Sequence, residues 1–342
     1  MRPSLLLSLI PCLVLCPLLW LTSGCAALGA EPDPDSILDG PIDGLSGPQL
    51  RTFLAGDAVF ATAFTPTDGL GPVFNAPSCV SCHPGDGKGH PAANLTRFGR
   101  GDGADAATFD YLPLLGGPQL QDRAIPGYVA EVLPARVATS VRSGPAVTGL
   151  GLIETIPAED ILRRADPDDQ DGDGISGRGN FVLPPPFITA PAECTCAGCK
   201  QTPAGCRLLG RFGRKAAQVN LLQQTVGALH DDMGLTSEQL SQDVYNPTLG
   251  GPSGDEAPDP EVASSTVNNL VFYLRTLRPP PRRDQDQPQV QRGAALFQQV
   301  GCAACHTPEL QSGDNPIAVL HRRPVPLYSD LLLHDLGSGL AD

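Results

Sequence analysis

The sequence predicts a mainly α-helical protein with two domains and long loops. Three observations predict this class. Apolar residues recur three or four positions apart in several segments, no segment shows convincing strand alternation, and glycine (38) and proline (36) together exceed a fifth of the 342 residues. So much glycine and proline favours short helices between long loops over a long helical bundle.

The N-terminus has the pattern of a secretory signal peptide over residues 1–24. Arg2 supplies a positive charge, an apolar run extends from Leu5 to Leu21, and small residues precede Cys25. Small residues before a cysteine are typical of a lipoprotein cleavage site, so we expect Cys25 to become a lipidated N-terminus. An ordinary cleaved signal and an uncleaved anchor are the alternatives.

All three alternatives place the rest of the chain outside the cytoplasm. We therefore expect the protein on the periplasmic side of a bacterial membrane, associated with it through lipidated Cys25. The segment 25–46 is acidic and contains proline and glycine. It is predicted to be a flexible tether between the lipid and the folded part.

Five helical segments follow the tether. They lie at 47–63, from Pro157 onward, at 213–230, at 261–277 and from Val290 onward. Consecutive prolines end the fourth helix, and a polar stretch follows it. The predicted organisation is therefore a first domain at 47–278, a proline-rich linker at 279–289 and a second domain at 290–342.

The charge balance excludes one class of partner. The chain has 23 Lys and Arg against 37 Asp and Glu, a net charge of −14. Nucleic acid requires a basic surface, so we expect no nucleic-acid binding. The acidity would suit a basic redox partner protein through electrostatic steering, and the alternative is that the charge only keeps the protein soluble.

Each predicted domain contains one Cys-x-x-Cys-His motif after a helical segment. The cofactor-binding residues are Cys79, Cys82 and His83 in the first motif, and Cys302, Cys305 and His306 in the second. Two thiols at this spacing can add to the two vinyl groups of one haem, and the adjacent histidine then binds the iron. Disulfides or half of a zinc site are the alternatives. Two copies in an exported chain favour two covalently bound haem c groups.

The sequence offers several candidates for the ligand on the other side of each iron. Met233 is the one methionine after the signal peptide, and it precedes the predicted helix at 261–277 as the distal methionine does in small cytochromes. His230 and His90 are the alternatives. For the second haem, His321 and His334 are the histidines downstream, and neither is assigned.

An aspartate-rich loop has half of a calcium-binding pattern. Asp169, Asp171 and Asp173 alternate, and Gly174 follows them. Carboxylates at alternate positions can wrap a hard cation, but the closing glutamate is absent because position 180 is Asn. Calcium binding and a solvated loop are the two interpretations.

Four further cysteines lie within thirteen residues. They are Cys194, Cys196, Cys199 and Cys206. In an oxidising compartment such a cluster is expected to form disulfides, and metal binding is the alternative. Four cysteines allow three pairings, and the sequence does not choose among them.

Seven segments together carry a resemblance to a known family. They are Gly71–Asn75, Gly116–Leu120, Gly149–Glu154, Asp171–Gly177, Gly210–Gly213, Asp232–Thr236 and Leu332–Gly337. With the two motifs, they resemble the di-haem oxidoreductases that are described as peroxidases and sometimes labelled thiol oxidoreductases. That family is distantly related to bacterial di-haem cytochrome c peroxidases. The resemblance implies two cytochrome c-like domains, mainly helical, that pass electrons between two haems.

The chain also departs from that family. The family pattern continues past residue 342, so the resemblance implies that the second domain is incomplete here. The one tryptophan, Trp20, lies in the signal peptide, so no later tryptophan can lie between the haems. Arg214 follows Gly210–Gly213, where the family leads us to expect an aromatic residue.

Two functions are consistent with these observations. The first is a peroxidase-like oxidoreductase, in which one haem accepts electrons, the other cleaves peroxide, and Glu154 is the candidate general acid and base. The second is a non-catalytic relay cytochrome with both haems six-coordinate.

Overall fold

The computed structural model describes residues 39–101, 109–189, 194–249 and 254–337. The predicted signal peptide, Cys25 and most of the predicted tether lie outside these residues. Residues 39–46, the described end of the tether, are held against the end of a helix by two backbone bonds, Ile42 N to Thr276 O (2.8 Å) and Arg278 N to Gly40 O (2.9 Å). Among the described residues, no helix combines the length and the hydropathy that a membrane span requires.

Seven α-helices occur in the described part of the chain. They are α1 (Gly47–Ala61), α2 (Cys79–Cys82), α3 (Leu150–Glu154), α4 (Ala158–Leu162), α5 (Leu221–Met233), α6 (Ser264–Thr276) and α7 (Pro288–Gln299). Short 3₁₀ turns connect several of them. The predicted helix at 213–230 begins later, at Leu221, because Asn220 caps it: the Asn220 side chain accepts a bond from the Gln223 amide (2.9 Å).

Eleven short strands accompany the helices within the described ranges. They are β1 (Val73–Phe74), β2 (Leu95–Gly99), β3 (Arg123–Ala124), β4 (Ala138–Arg142), β5 (Gly177–Arg178), β6 (Phe181–Val182), β7 (Cys199–Thr202), β8 (Gly205–Leu209), β9 (Leu310–Gln311), β10 (Pro324–Val325) and β11 (Leu333–His334). Antiparallel pairs form between β1 and β3, β2 and β4, β5 and β11, and β9 and β10, while β6, β8 and β7 form a three-stranded sheet.

The prediction of a mainly α-helical fold is wrong. About 30% of the structure is helical and 15% is strand. The strands are two to five residues long, too short to show a periodicity of two. Most pair with a segment far along the chain: β2 pairs with β4 across about forty residues, and β5 pairs with β11 across more than 150. Such pairing is decided by tertiary contacts, which leave no local pattern.

The larger hydrophobic core lies between α1, α5 and α6. Its buried residues include Phe53 and Phe60 of α1, Val226 of α5, and Leu270 and Tyr273 of α6. Helices α1 and α6 approach closely because Gly56 of α1 has no side chain. A Cβ atom at this position would lie 2.5 Å from the Tyr273 Cβ.

A second core joins segments from both sides of the predicted linker. Leu152, Ile156 and Ile161 pack there with Leu310 and Leu320. The β5–β11 pair makes the same connection, and the described residues belong to one compact unit. The division into domains at 47–278 and 290–342 stays a prediction.

Helix α7 differs from the other long helices. None of its residues is buried in the structure as described. Leu296 is 56% exposed, and Val300, which follows the helix, is 68% exposed. The segment before the second motif is therefore much more open than α1, which precedes the first.

Candidate haem sites

The first motif folds as one short helical turn. Helix α2 spans Cys79–Cys82, and the Ser78 hydroxyl caps it by accepting a bond from the Ser81 amide (3.2 Å). Residues three apart on such a turn lie on neighbouring positions of one face, so both thiols face the same side. Both are unpaired.

The ring of His83 is fixed by a contact at one of its two nitrogens. Its Nδ1 lies 3.1 Å from the Gly87 carbonyl oxygen. A proton on Nδ1 donates to that oxygen and leaves the Nε2 lone pair for a metal. Burial lowers the pKa of His83 and outweighs the raising effects of the Gly87 bond and Asp86, so the neutral imidazole is favoured.

Two neighbours shape the space around this ring. Phe60 of α1 packs on it with ring centroids 6.3 Å apart. On another side, a Cβ atom at Gly144 would lie 2.8 Å from His83 Cε1 and 3.1 Å from Nε2, so only glycine leaves this edge of the imidazole clear. With two thiols on one face and an oriented imidazole, the residues present fit a covalently bound haem.

The second motif repeats the arrangement. Its cysteines are also unpaired, and Cys302 begins a 3₁₀ turn. His306 Nδ1 lies 3.2 Å from the Tyr328 carbonyl oxygen, and Phe297 packs on the His306 ring at 6.3 Å. At both sites, therefore, a backbone carbonyl oxygen lies near the histidine Nδ1, and a phenylalanine that precedes the motif packs against the imidazole ring. The donor set again fits haem.

Burial raises the pKa of three of the four motif cysteines. Burial, and then Asp232 and Cys82, raise the pKa of Cys79 to about 12. Burial also raises the pKa of Cys82 and of Cys305. At pH 7 these three side chains are therefore neutral thiols in the protein without a bound group.

Met233 lies at the end of α5 near the segment that leads into the first motif. It is 3% exposed and belongs to the larger core. Its carbonyl oxygen accepts a bond from the Gly71 amide (3.2 Å), and the Asp232 carbonyl accepts bonds from Asn75 (2.8 Å) and Ala76 (3.1 Å). The end of α5 is thus fastened to the chain just before Cys79, and the ligand assignment of Met233 stays a prediction.

A buried glutamine also links the end of α5 to the chain just before Cys79, in this case through side chains. Gln119 Nε2 donates to Asn75 Oδ1 (2.8 Å), to the Asp231 carbonyl (3.0 Å) and to Asp232 Oδ1 (2.7 Å). Burial raises the pKa of Asp232 to about 6, although the Gln119 bond lowers it. The sequence did not indicate this positioning role, although Asn75, Gln119 and Asp232 all lie in segments that carry the family resemblance.

The histidines named as other ligand candidates all have partners. His230 contacts Asp231 Oδ1 through Nδ1 (2.9 Å) and the Gln242 carbonyl through Nε2 (3.0 Å). His90 Nδ1 accepts a bond from the Ala92 amide (3.1 Å), and His321 Nδ1 accepts one from Asn315 (3.3 Å). His334 lies nearest to a motif, because its Nδ1 is 3.9 Å from the Cys305 sulfur. Its Nε2 is bound to Asp330 (2.7 Å).

The carboxylate of Glu154 is held by two structural partners. Arg275 binds both of its oxygens (Nε to Oε2, 2.6 Å; Nη2 to Oε1, 3.2 Å), and the Leu221 amide donates to Oε1 (2.8 Å). Leu221 is the first residue of α5, so Glu154 joins α3 to the start of α5 and to α6. Its catalytic role stays a prediction.

The aspartate-rich loop brings three carboxylates together. Oxygens of Asp166, Asp169 and Asp171 lie within 4.8 Å of one another. Asp166 was not among the predicted calcium ligands. Asp173 Oδ1 instead accepts a bond from the Ile175 amide (2.8 Å). Calcium binding stays a prediction.

A second carboxylate group was not foreseen from the sequence. Oxygens of Asp243, Asp259 and Glu261 lie within 4.8 Å of one another although the residues are up to 18 positions apart. Burial and the charges of Asp259 and Asp255 raise the pKa of Asp243 to about 6. Burial raises the pKa of Glu261 to about 7, with a contribution from Asp259.

The other four cysteines among the described residues form two disulfides. The pairs are Cys194–Cys206 and Cys196–Cys199. This settles the pairing that the sequence left open.

One comparison with known proteins gives a match. The family model described as "Di-haem oxidoreductase, putative peroxidase" matches residues 127–342, more than half of the chain. The matched region includes the second motif, and the first lies before it. No curated protein and no solved structure matches the chain.

Proposed function

The chain belongs to the family of di-haem oxidoreductases, and we propose from this premise that it is an exported cytochrome. It binds two haems covalently, at Cys79, Cys82 and His83 and at Cys302, Cys305 and His306, and transfers electrons. Bound haem iron supplies one-electron chemistry. The protein contributes the thioether attachment points, the proximal imidazoles and the buried surroundings that set the potential.

One observation carries the proposal of covalent attachment. The four motif cysteines are unpaired, whereas the four cysteines of residues 194–206 are all in disulfides. At each motif a histidine imidazole follows the unpaired thiols. Its Nδ1 lies within hydrogen-bond distance of a backbone carbonyl oxygen. This is the donor set of a haem c site at both positions.

The proposal includes peroxidase-type chemistry and a location. The family description names a peroxidase, which supports peroxide as the substrate class. The signal-like N-terminus and Cys25 support lipid anchoring on the periplasmic side of a membrane, and the net charge of −14 supports a basic redox partner protein. Met233 is proposed as the distal ligand of the first haem. Asp169 and Asp171, with Asp166, are proposed to hold calcium.

The test of haem attachment is a haem count on protein expressed with a cytochrome c maturation system. We expect two haems per chain from the pyridine haemochrome spectrum and from the intact mass. The double variants Cys79→Ala/Cys82→Ala and Cys302→Ala/Cys305→Ala should each retain one. A mature chain that carries no haem, or variants that each retain two, would overturn the proposal.

The spin state of iron separates the enzyme from the relay. A peroxidase needs one open coordination position, so the half-reduced protein should contain one high-spin haem and turn over hydrogen peroxide. Two low-spin haems without turnover would establish the relay cytochrome instead. Met233→Leu should convert the first haem to high spin if Met233 is its ligand, and should leave its spectrum unchanged if it is not.

A further inference from the structure

The two disulfides lie side by side on one β-hairpin. Cys199 begins β7, Cys206 lies in β8, and Cys194 and Cys196 precede the hairpin. Cys206 pairs with Gln201, and Cys199 lies two residues before Gln201 on the same strand. Cys199 and Cys206 are therefore close to each other in the hairpin register. Haem binding uses none of these four residues.

The sulfurs of the two disulfides are close enough to exchange partners. The Sγ atoms of Cys194, Cys199 and Cys206 lie within 4.8 Å of one another. Cys199 is bonded to Cys196, whereas Cys194 and Cys206 are bonded to each other. A thiolate released at Cys199 would therefore lie beside both sulfurs of the second disulfide.

The two disulfides differ in their access to solvent. Cys196 is exposed, whereas Cys194, Cys199 and Cys206 are partly buried. Thiol–disulfide exchange requires a thiolate to reach a sulfur directly, so access decides which disulfide meets an external thiol first. The exposed sulfur of Cys196 is the entry point.

We propose that these four cysteines form a thiol–disulfide exchange relay. A dithiol, either a small molecule or a reduced pair on another protein, gives two electrons to Cys196–Cys199. This pair then passes them to Cys194–Cys206. The relay is a redox activity additional to haem chemistry, and it does not depend on the proposed function.

The first exchange reduces the exposed pair. One thiolate of the dithiol attacks Cys196 Sγ, the Cys196–Cys199 bond breaks, and Cys199 leaves as a thiolate. The second thiol of the dithiol then attacks the mixed disulfide and releases Cys196. The external dithiol is oxidised to a disulfide by two electrons, and the Cys196–Cys199 pair is reduced by two.

The second exchange moves the electrons inward. The Cys199 thiolate attacks one sulfur of Cys194–Cys206, and the other sulfur leaves as a thiolate. Cys196 then attacks Cys199, which restores the Cys196–Cys199 bond and releases the second inner thiol. The net result is that the Cys194–Cys206 pair is reduced and the Cys196–Cys199 pair is oxidised again, with no further reactant.

The experiment measures how fast dithiothreitol reduces Cys194–Cys206 in the full-length, haem-loaded protein. Aliquots are quenched by alkylation and digested with trypsin. Cleavage after Arg178, Lys200 and Arg207 places Cys206 alone on peptide 201–207, so loss of its link to peptide 179–200 reports reduction of this bond. In Cys196→Ser/Cys199→Ser, which removes the relay and keeps the inner bond, we expect reduction to slow by about tenfold or more. An unchanged rate would overturn the relay.

A second variant tests the inner step without an added reductant. Cys196→Ser leaves Cys199 as a free thiol beside the inner disulfide. Exchange should distribute the single alkylated position among Cys199, Cys194 and Cys206 within hours at neutral pH. Alkylation at Cys199 alone would exclude the inner step. The haem absorption spectrum and circular dichroism of each variant show that it has folded.

Discussion

At the scale of single residues, both candidate haem sites depend on a backbone carbonyl that the motif does not contain. His83 uses the carbonyl of Gly87, four residues on, and His306 uses that of Tyr328, twenty-two residues on. The bond fixes which ring nitrogen carries the proton, and so makes Nε2 available to iron. The same imidazole geometry is therefore reached through different loops.

The three clustered carboxylates of Asp243, Asp259 and Glu261 make the free energy of unfolding depend on pH. The pKa of Asp243 is raised from 3.8 to about 6 and that of Glu261 from 4.5 to about 7. Between about pH 4 and pH 7 the folded state therefore binds more protons than the unfolded state. The free energy of unfolding must fall as pH rises through this window, as far as these groups contribute.

Replacing one member of this group should relieve the repulsion at high pH. For Asp243→Asn we expect a gain of about 1 kcal/mol in the free energy of unfolding at pH 8, after allowance for solvent screening, and little change at pH 4.5. Urea unfolding at both pH values measures it. The exposed Asp286→Asn serves as control and should change stability by less than about 0.5 kcal/mol. A loss of stability for Asp243→Asn at pH 8 would contradict this prediction.

At the scale of elements, the first haem site rests on the contact between α1 and α6. Phe60 of α1 touches both His83 and Tyr273 of α6, with ring centroids 6.3 Å and 5.4 Å apart. The Tyr273 hydroxyl donates to Asp86 Oδ2 (2.7 Å), three residues after His83. The spacing of α1 and α6 therefore positions the loop that follows the motif.

A methyl group at Gly56 should force these helices apart. It would meet the Tyr273 Cβ and the Asn269 carbonyl of α6, which are backbone-fixed atoms. We expect Gly56→Ala to lower the free energy of unfolding by about 1–3 kcal/mol, or more if the backbone cannot shift, and to reduce haem loading at the first motif. Urea denaturation and the haem count measure the two effects.

Gly293→Ala in α7 is the matched control. A Cβ atom at Gly293 would meet no atom within 4 Å, so the substitution should only improve helix propensity, by about 0.5–1 kcal/mol. Equal stability changes in the two variants would show that helix contact at Gly56 does not matter.

At the scale of the whole molecule, the second core ties the C-terminal part to the middle of the chain. Leu320 is fully buried against residues of α3, α4 and the loop between them. The Gly313 amide donates to the Thr155 carbonyl (2.7 Å) beside it. The segment after the second motif and residues 150–162 should therefore unfold together.

Leu320→Ala tests this coupling. The cavity should lower the free energy of unfolding by about 2–5 kcal/mol, and hydrogen exchange should accelerate in residues 150–162 as well as in 310–325. Leu336→Ala, at a position 68% exposed, should change stability by less than about 0.5 kcal/mol. Faster exchange confined to the C-terminal segment would show that the two parts open independently.

The sequence by itself identified the two motifs and the family, and it located the long helices α1, α6 and α7 to within a few residues. The role of His83 and His306 as iron ligands stays a prediction. These features are local: a motif is five adjacent residues, and helices such as α6 show their apolar face within thirteen residues. It could not predict the 15% of strand, because short strands pair with segments far along the chain. The mainly α-helical prediction failed for that reason.

Only the tertiary structure decided what surrounds the motifs. It placed Gln119 between Asn75 and Asp232, bound Glu154 to Arg275, chose the disulfides Cys194–Cys206 and Cys196–Cys199, and gathered Asp243, Asp259 and Glu261. Most of these contacts join residues well separated along the chain, and their energies depend on burial that no local pattern encodes. The chemistry at the two motifs is set by adjacent residues, whereas their environment is set by packing.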